Sequence, residues 1–169
     1  MACIWLAVSF DYYLINFLAS HFEDAYSVVI TSQISEISAK IAGGILYKLI
    51  GTKRSLALAL SVSCLASIAI IFYGQSHQHT YTFFLLILMA KFGVAICFCV
   101  VYIAHATLFP TMFAATSFGF CNFMARAFSA ASPIIAELEQ PVPMICFAVA
   151  AGVASVLSGF IQVREDSER

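Results

Sequence analysis

Six apolar runs, each about long enough to cross a bilayer, fill nearly all of this 169-residue chain, and four of them carry charge at mid-depth. Those charges are Asp11, Glu36 with Lys40, Lys91 and Arg126. A charge in hydrocarbon costs at least ~2.5–3.5 kcal/mol, even on the most lenient insertion scale. Such residues therefore face a bundle interior or a water-filled cavity, with partners. Transport is the first function to consider.

Composition supports a membrane-spanning class. The chain is 62% hydrophobic and 10% charged, more apolar than a soluble domain of this size can hide. Its net charge of −1 offers no basic footprint, so no nucleic-acid partner is expected. The runs are continuous and rich in Leu, Ala, Ile and Phe, which is unlike the ten-residue alternation of membrane strands. No basic segment precedes the first run and Asp11 interrupts it, so a secretory signal is not expected.

The runs cover residues 2–19, 27–50, 55–73, 81–105, 111–136 and 142–161. In lipid every backbone N–H needs an internal partner, so each run is expected to be a helix. The expected fold is all-α: one domain over residues 1–169, a polytopic membrane bundle of six transmembrane helices. Pro133 is expected to kink or end the fifth. Connectors are short. Residues 20–26 carry His21, Glu23 and Asp24, residues 74–80 carry His77 and His79, and residues 137–141 are acidic. Gly51-Thr52-Lys53-Arg54 is expected to form a tight basic turn. Lys48, Lys53, Arg54 and Arg164 fall on one side of this topology, and the opposite connectors lack Lys and Arg, so both termini are expected in the cytoplasm. Close helix approach is expected at Gly43-Gly44 and along Ala151, Ser155 and Gly159, with Ala148 and Gly152 beside them.

Helical spacing places the charges on faces. Gln33, Glu36, Lys40, Gly43 and Tyr47 share one. Glu36 and Lys40 are four apart, so they either pair or line a cavity. Lys91 aligns with Phe84, Leu88, Ala95, Phe98, Tyr102 and His105; it either holds an anion or neutralises an acid on another helix. His105 reads as a satisfied histidine near the cytoplasmic end. Arg126 aligns with Gly119, Asn122, Ser129 and Pro133. Its planar fork suits carboxylate, sulfate or phosphate, the alternative being a salt bridge to Asp11 or Glu36. Asp11 has apolar neighbours, Val8 and Ile15, and is either a proton-coupling group or a partner of Lys91 or Arg126. Cysteines at 3, 64, 97, 99, 121 and 146 read as small packing residues, with no convergent set for a metal. HExxH, Gly-x-Ser-x-Gly and Walker patterns are lacking, so neither an enzyme nor a cofactor is expected.

Spans four and five contain Lys91-Phe92, then Tyr102-Ile103-Ala104-His105-Ala106-Thr107-Leu108-Phe109-Pro110-Thr111, then Gly119, Met124-Ala125-Arg126 and Ser132-Pro133. This series resembles the organic-ion transporter branch of the major facilitator superfamily. Ile4-Trp5 with Ser9-Phe10-Asp11-Tyr12-Tyr13 resembles the start of that family's seventh helix, and Ser35-Glu36-Ile37-Ser38-Ala39 its eighth. The resemblance covers the chain as helices seven to twelve of a twelve-helix protein. It departs from the family at Thr107 and Ala114, where glutamate and arginine are usual, and around Lys48-Leu49, although Gly51, Lys53 and Arg54 persist in shifted form. Asp11 also replaces an apolar residue.

The resemblance implies the C-terminal half of a gradient-driven, alternating-access transporter. Its substrate would be a small organic ion, an anion rather than a cation on account of Arg126. Lys91 would add positive potential. Phe98 and Tyr102 would pack on an apolar substrate body, and Asn122, Glu36 and Asp11 complete the candidate substrate or coupling set. Lys40, Gly51, Lys53, Arg54, Pro110, Thr111, Gly119 and Pro133 would be structural or gating. The implied partners are the bilayer and a second six-helix half or a second copy. The alternative is a non-transporting subunit that pairs with a full-length relative.

Overall fold

The computed structural model describes residues 2–19, 25–74, 81–108, 111–139 and 141–159. Every regular element among them is an α-helix: α1 (Ala2–Ala19), α2 (Ala25–Gly74), α3 (Tyr81–Leu108), α4 (Thr111–Ser129), α5 (Ser132–Ala136) and α6 (Val142–Gly159). His21, Glu23, Asp24, His77, His79, Pro110 and Arg164 lie outside the described residues.

A straight α2 would be far longer than a bilayer. Its 50 residues would extend ~75 Å against ~30 Å of hydrocarbon. It does not run straight, because Gly51 takes φ 78 and ψ 173, a conformation open to glycine and strained for other residues. Contacts with α3 reveal a reversal there. Along the first arm, residues 25–50, Ser32 and Glu36 meet Lys91, Gly43 meets Ile96 and Cys99, and Tyr47 meets Thr107. Both sequences rise together, so this arm is parallel to α3. Along the second arm, residues 52–74, Leu56 meets Cys97, Ala59 meets Gly93 and Ser63 meets Ala90. The order is inverted, so this arm is antiparallel. The expected four-residue turn is thus a single residue, with Thr52, Lys53 and Arg54 already helical. Ser55 donates its hydroxyl to the Gly51 carbonyl at 2.6 Å, in the first turn of the second arm.

α1 is the hub and packs on α2, α3, α4, α5 and α6. Its stripe of Ile4, Val8, Asp11, Ile15 and Leu18 is fully buried, at spacings of three and four. Trp5 lies against Tyr102 and Tyr12 against Phe98, so α1 is antiparallel to α3. Trp5 against Phe118 and Tyr13 against Arg126 make it parallel to α4.

The fifth run breaks as expected. Proline has no N–H, so Pro133 cannot donate to the Ser129 carbonyl one turn back. α4 stops at Ser129 and α5 starts at Ser132 after a turn at Ala130 and Ala131. The break lets buried Ser132 donate its hydroxyl to the Phe10 carbonyl at 3.3 Å, pinning α5 to α1.

Close backbone approaches fall partly where expected. A Cβ on Gly43 would sit 3.3 Å from the Ile96 carbonyl oxygen, whereas Gly44 and Gly159 face open space. The tightest site is Gly93, where a Cβ would lie 2.8 Å from the Ala59 oxygen. In α6 the buried row is Phe147, Ala151, Ala154 and Ser158, not Ala151, Ser155 and Gly159. The row turns because α6 packs on α1 as well as on the second arm of α2. Cys64 meets α6 beside that row, its thiol donating to the Ala148 carbonyl at 3.6 Å and lying 3.8 Å from where a Cβ on Gly152 would sit.

Among the described residues, three helical stretches are long and apolar enough to cross a membrane: Ile30–Phe72, Phe84–Thr107 and Val142–Gly159. Ala2–Leu18 is apolar but shorter. α4 is not among them, since Thr116, Ser117, Asn122 and Arg126 dilute its apolar content.

Candidate functional site

The helix periodicity of α1 divides its polar residues between two faces. Tyr12, Tyr13 and Asn16 form a half-buried stripe, whereas Asp11 belongs to the core stripe behind it. Asn16 donates its amide to the Tyr12 carbonyl at 2.8 Å, one turn back. Tyr12 and Tyr13 therefore begin the site, and Asp11 is not part of their face.

Tyr12 reaches the first arm of α2, donating its hydroxyl to Glu36 Oε1 at 2.7 Å. Lys40 Nζ approaches the same oxygen at 2.8 Å, the i,i+4 pair that the spacing predicts. The second oxygen, Oε2, has Lys91 Nζ at 3.8 Å, an ion pair beyond hydrogen-bond length. Lys91 also donates to the Ser32 hydroxyl. The two lysines are not equivalent. The Lys40 side chain is 54% exposed and that of Lys91 is 2% exposed. Exposed pairs contribute ~0.2–1 kcal/mol, while removing one partner of a buried pair costs ~3–5 kcal/mol. Lys91 is thus neutralised by an acid from another helix, the second of its two expected readings.

Arg126 enters neither ion pair found among the described residues. It is exposed, donates to the Tyr13 hydroxyl and lies over the Tyr13 ring, 5.2 Å from the centroid. A stacked guanidinium gains ~0.5–1 kcal/mol at an exposed site and keeps its other donors free. The alternative reading of Arg126, a salt bridge to Asp11 or Glu36, is not found among the described residues, and the stack on Tyr13 stands in its place. The stripe around Arg126 divides as well. Asn122 is half-buried near the site and Gly119 is exposed, but Ser129 is buried beside Cys121 and Ala125 on the core side of α4.

Aromatic rings join these parts. Tyr13 meets Tyr12 edge-on at 5.6 Å, and Tyr12 stacks on Phe98 at 4.9 Å. Phe98 meets Tyr102 at 5.0 Å, and Tyr102 meets Trp5 at 4.8 Å. Phe98 and Tyr102 are half-buried at the same seam, while Trp5 is 1% exposed and belongs to the core. His105 is buried too, edge-on to Trp5 at 5.2 Å, with Nε2 3.4 Å from the Ala114 carbonyl oxygen. Thr107 donates to the Ile103 and Ala104 carbonyls and receives the Tyr47 hydroxyl at 3.4 Å.

An unbroken seam therefore runs from Arg126 on α4 through Tyr13 and Tyr12 on α1 and Glu36 on α2 to Lys91 on α3. Of the candidates, it unites Arg126, Glu36, Lys40, Lys91, Phe98 and Tyr102. It leaves Asp11 behind the wall, and leaves Gly51, Lys53 and Arg54 at the α2 reversal. Tyr12, Tyr13 and Ser32 are functional candidates that sequence reasoning passed over. Their signal was the Tyr12-Tyr13 doublet beside a mid-depth charge, and Ser32 one helical turn before Glu36. No group of His, Cys, Asp and Glu among the described residues could hold a metal.

The fold and seam define a class: an all-helical chain, with helices able to cross a membrane and an internal charged seam. No protein-family model matches the chain.

Proposed function

We propose that this chain is a six-crossing half of a gradient-driven transporter for a small organic anion. The reversal at Gly51 supports counting the two arms of α2 as separate crossings, each longer than the ~20 residues that span ~30 Å of hydrocarbon. With α1, α3, α4–α5 and α6 they give six. The observation that carries the reading is the seam that runs from exposed Arg126 through half-buried Tyr13 and Tyr12 to buried Glu36 and Lys91, across four elements. Charge at mid-depth is retained where it meets substrate or ions. Three cations, Lys40, Lys91 and Arg126, face one acid, Glu36, along it. The excess favours an anion. Arg126, exposed and only stacked, has donors left for a carboxylate or sulfonate. Phe98 and Tyr102 supply an apolar flank. One half lines one wall of a cavity, so the partner is a second six-helix half or a second copy.

The test is uptake of paired anionic and cationic tracers by cells carrying the assembled transporter, normalised to surface protein. Arg126→Lys keeps charge but loses the planar fork, so anion uptake should fall about tenfold, the equivalent of one charge-assisted hydrogen bond. Arg126→Asp should abolish anion uptake or turn preference toward cations, at normal surface level. Unchanged anion uptake in Arg126→Asp would show that the seam does not bind the substrate.

A further inference from the structure

Asp11 has no place in the seam. It sits between Val8 and Ile15 on the core stripe of α1, with no exposed surface. Neither carboxyl oxygen has a hydrogen-bond partner among the described residues. Among the described residues, two thiols interact electrostatically with it: Cys64 from the second arm of α2 and Cys97 from α3. Each thiol is directed elsewhere, Cys64 to the Ala148 carbonyl and Cys97 to the Leu56 carbonyl. The cations on neighbouring helices are committed: Lys91 of α3 to Glu36 and Ser32, Lys40 of α2 to Glu36, and Arg126 of α4 to Tyr13. Lys48, Lys53 and Arg54 of α2 are exposed around its reversal. α5 has no titratable side chain, and α6 has only Cys146.

A bare carboxylate without exposed surface, and in no ion pair among the described residues, is among the costliest groups to bury. Something must neutralise it. A hard metal cation needs several oxygen ligands, and no group of His, Cys, Asp and Glu among the described residues gathers around Asp11 to hold one. A proton needs only the carboxyl itself.

We propose that Asp11 is a proton-binding site, loaded in the packing described here and emptied when α1 parts from α3 and the second arm of α2 and water enters. Resting on the transport reading, proton release accompanies the rearrangement of the wall, so uptake is coupled to protons.

The site can be read without any transport, in native membranes, with dicyclohexylcarbodiimide. A protonated carboxyl gives its proton to one carbodiimide nitrogen, its oxygen adds to the central carbon, and acyl migration to nitrogen leaves a stable N-acylurea. Peptide mass spectrometry should find this adduct at Asp11, diminishing as pH rises, and lost in Asp11→Asn. A water-soluble carbodiimide should leave Asp11 unmodified. Asp11→Asn should keep wild-type membrane levels, because the amide mimics the neutral acid in shape and charge. Lack of adduct at Asp11, in a chain that does label there after denaturation, overturns the site. Equal labelling by the water-soluble reagent overturns it too. In the transporting assembly, wild-type uptake should depend on a pH gradient and Asp11→Asn uptake should not. Persistence of that dependence in Asp11→Asn overturns the coupling. A labelled Asp11 in a chain without uptake keeps the site and sinks the transport reading, so the two fail separately.

Discussion

Glu36 holds two lysines with its two oxygens, and the burial of each lysine sets its importance. Loss of the acid strands Lys91 without a counter-charge, so Glu36→Gln should lower stability by ~3–5 kcal/mol. Lys40→Ala removes only an exposed partner and should change it by no more than ~0.5 kcal/mol. Thermal unfolding in detergent measures both. Adding Lys91→Met to Glu36→Gln should recover much of the loss, because an apolar pair of similar volume often replaces a buried ion pair at little cost. At this scale the residue spacing was readable where the contact is local. Glu36 and Lys40 are one turn apart on one helix, and their pairing followed. That Lys91 would find an acid on another helix was one of two open readings, and nothing local chose between them. The stack of Arg126 on Tyr13 was hidden, because residues 113 positions apart meet only through the packing of α4 on α1.

The helices owe their arrangement to a few glycines and one proline, and these can be ranked by what a methyl group would meet. Gly93→Ala puts a carbon 2.8 Å from the Ala59 oxygen, backbone that cannot swing aside. It should destabilise the contact of α3 with the second arm by ~1–3 kcal/mol. Gly44→Ala faces open space and replaces a poor helix former, so stability should hold or rise by up to ~1 kcal/mol. Gly51→Ala forces a side chain into a positive φ and should cost about 1 kcal/mol or more. Detergent melting curves of the three variants should rank them Gly93, Gly51, Gly44 from most to least harmful. The elements were largely readable, since long apolar runs in lipid have little choice but helix. Pro133 marked its break because a missing N–H acts locally. Gly93 escaped notice, and the α6 row was misplaced by one register. Which face of a uniformly apolar helix meets its neighbour is decided by shape complementarity, which leaves little trace in periodicity.

For the molecule as a whole, orientation in the membrane and the need for a partner are the properties to test. With the arms of α2 counted as two crossings, Lys53 and Arg54 lie on the side carrying Lys48 and opposite Glu137. An impermeant thiol reagent applied to intact cells, on a background without native cysteines, should label Glu137→Cys and spare Lys53→Cys; the reverse pattern inverts the topology. On the transport proposal, liposomes holding the chain as a demonstrated monomer should show no saturable uptake, since that reading makes the seam one wall of a cavity shared with a partner. Saturable uptake by that monomer would refute the need for a partner. The single-residue reversal at Gly51 bears also on how the chain enters the membrane. A first arm carrying Glu36 and Lys40 partitions poorly by itself, whereas the second arm from Ser55 to Phe72 has no charge at all. With one residue between them, the arms cannot be threaded independently during synthesis. On the proposal that both arms cross, the apolar arm carries the charged one into the bilayer as a hairpin, and damage to the second arm should appear first as a failure of insertion of the arm before it.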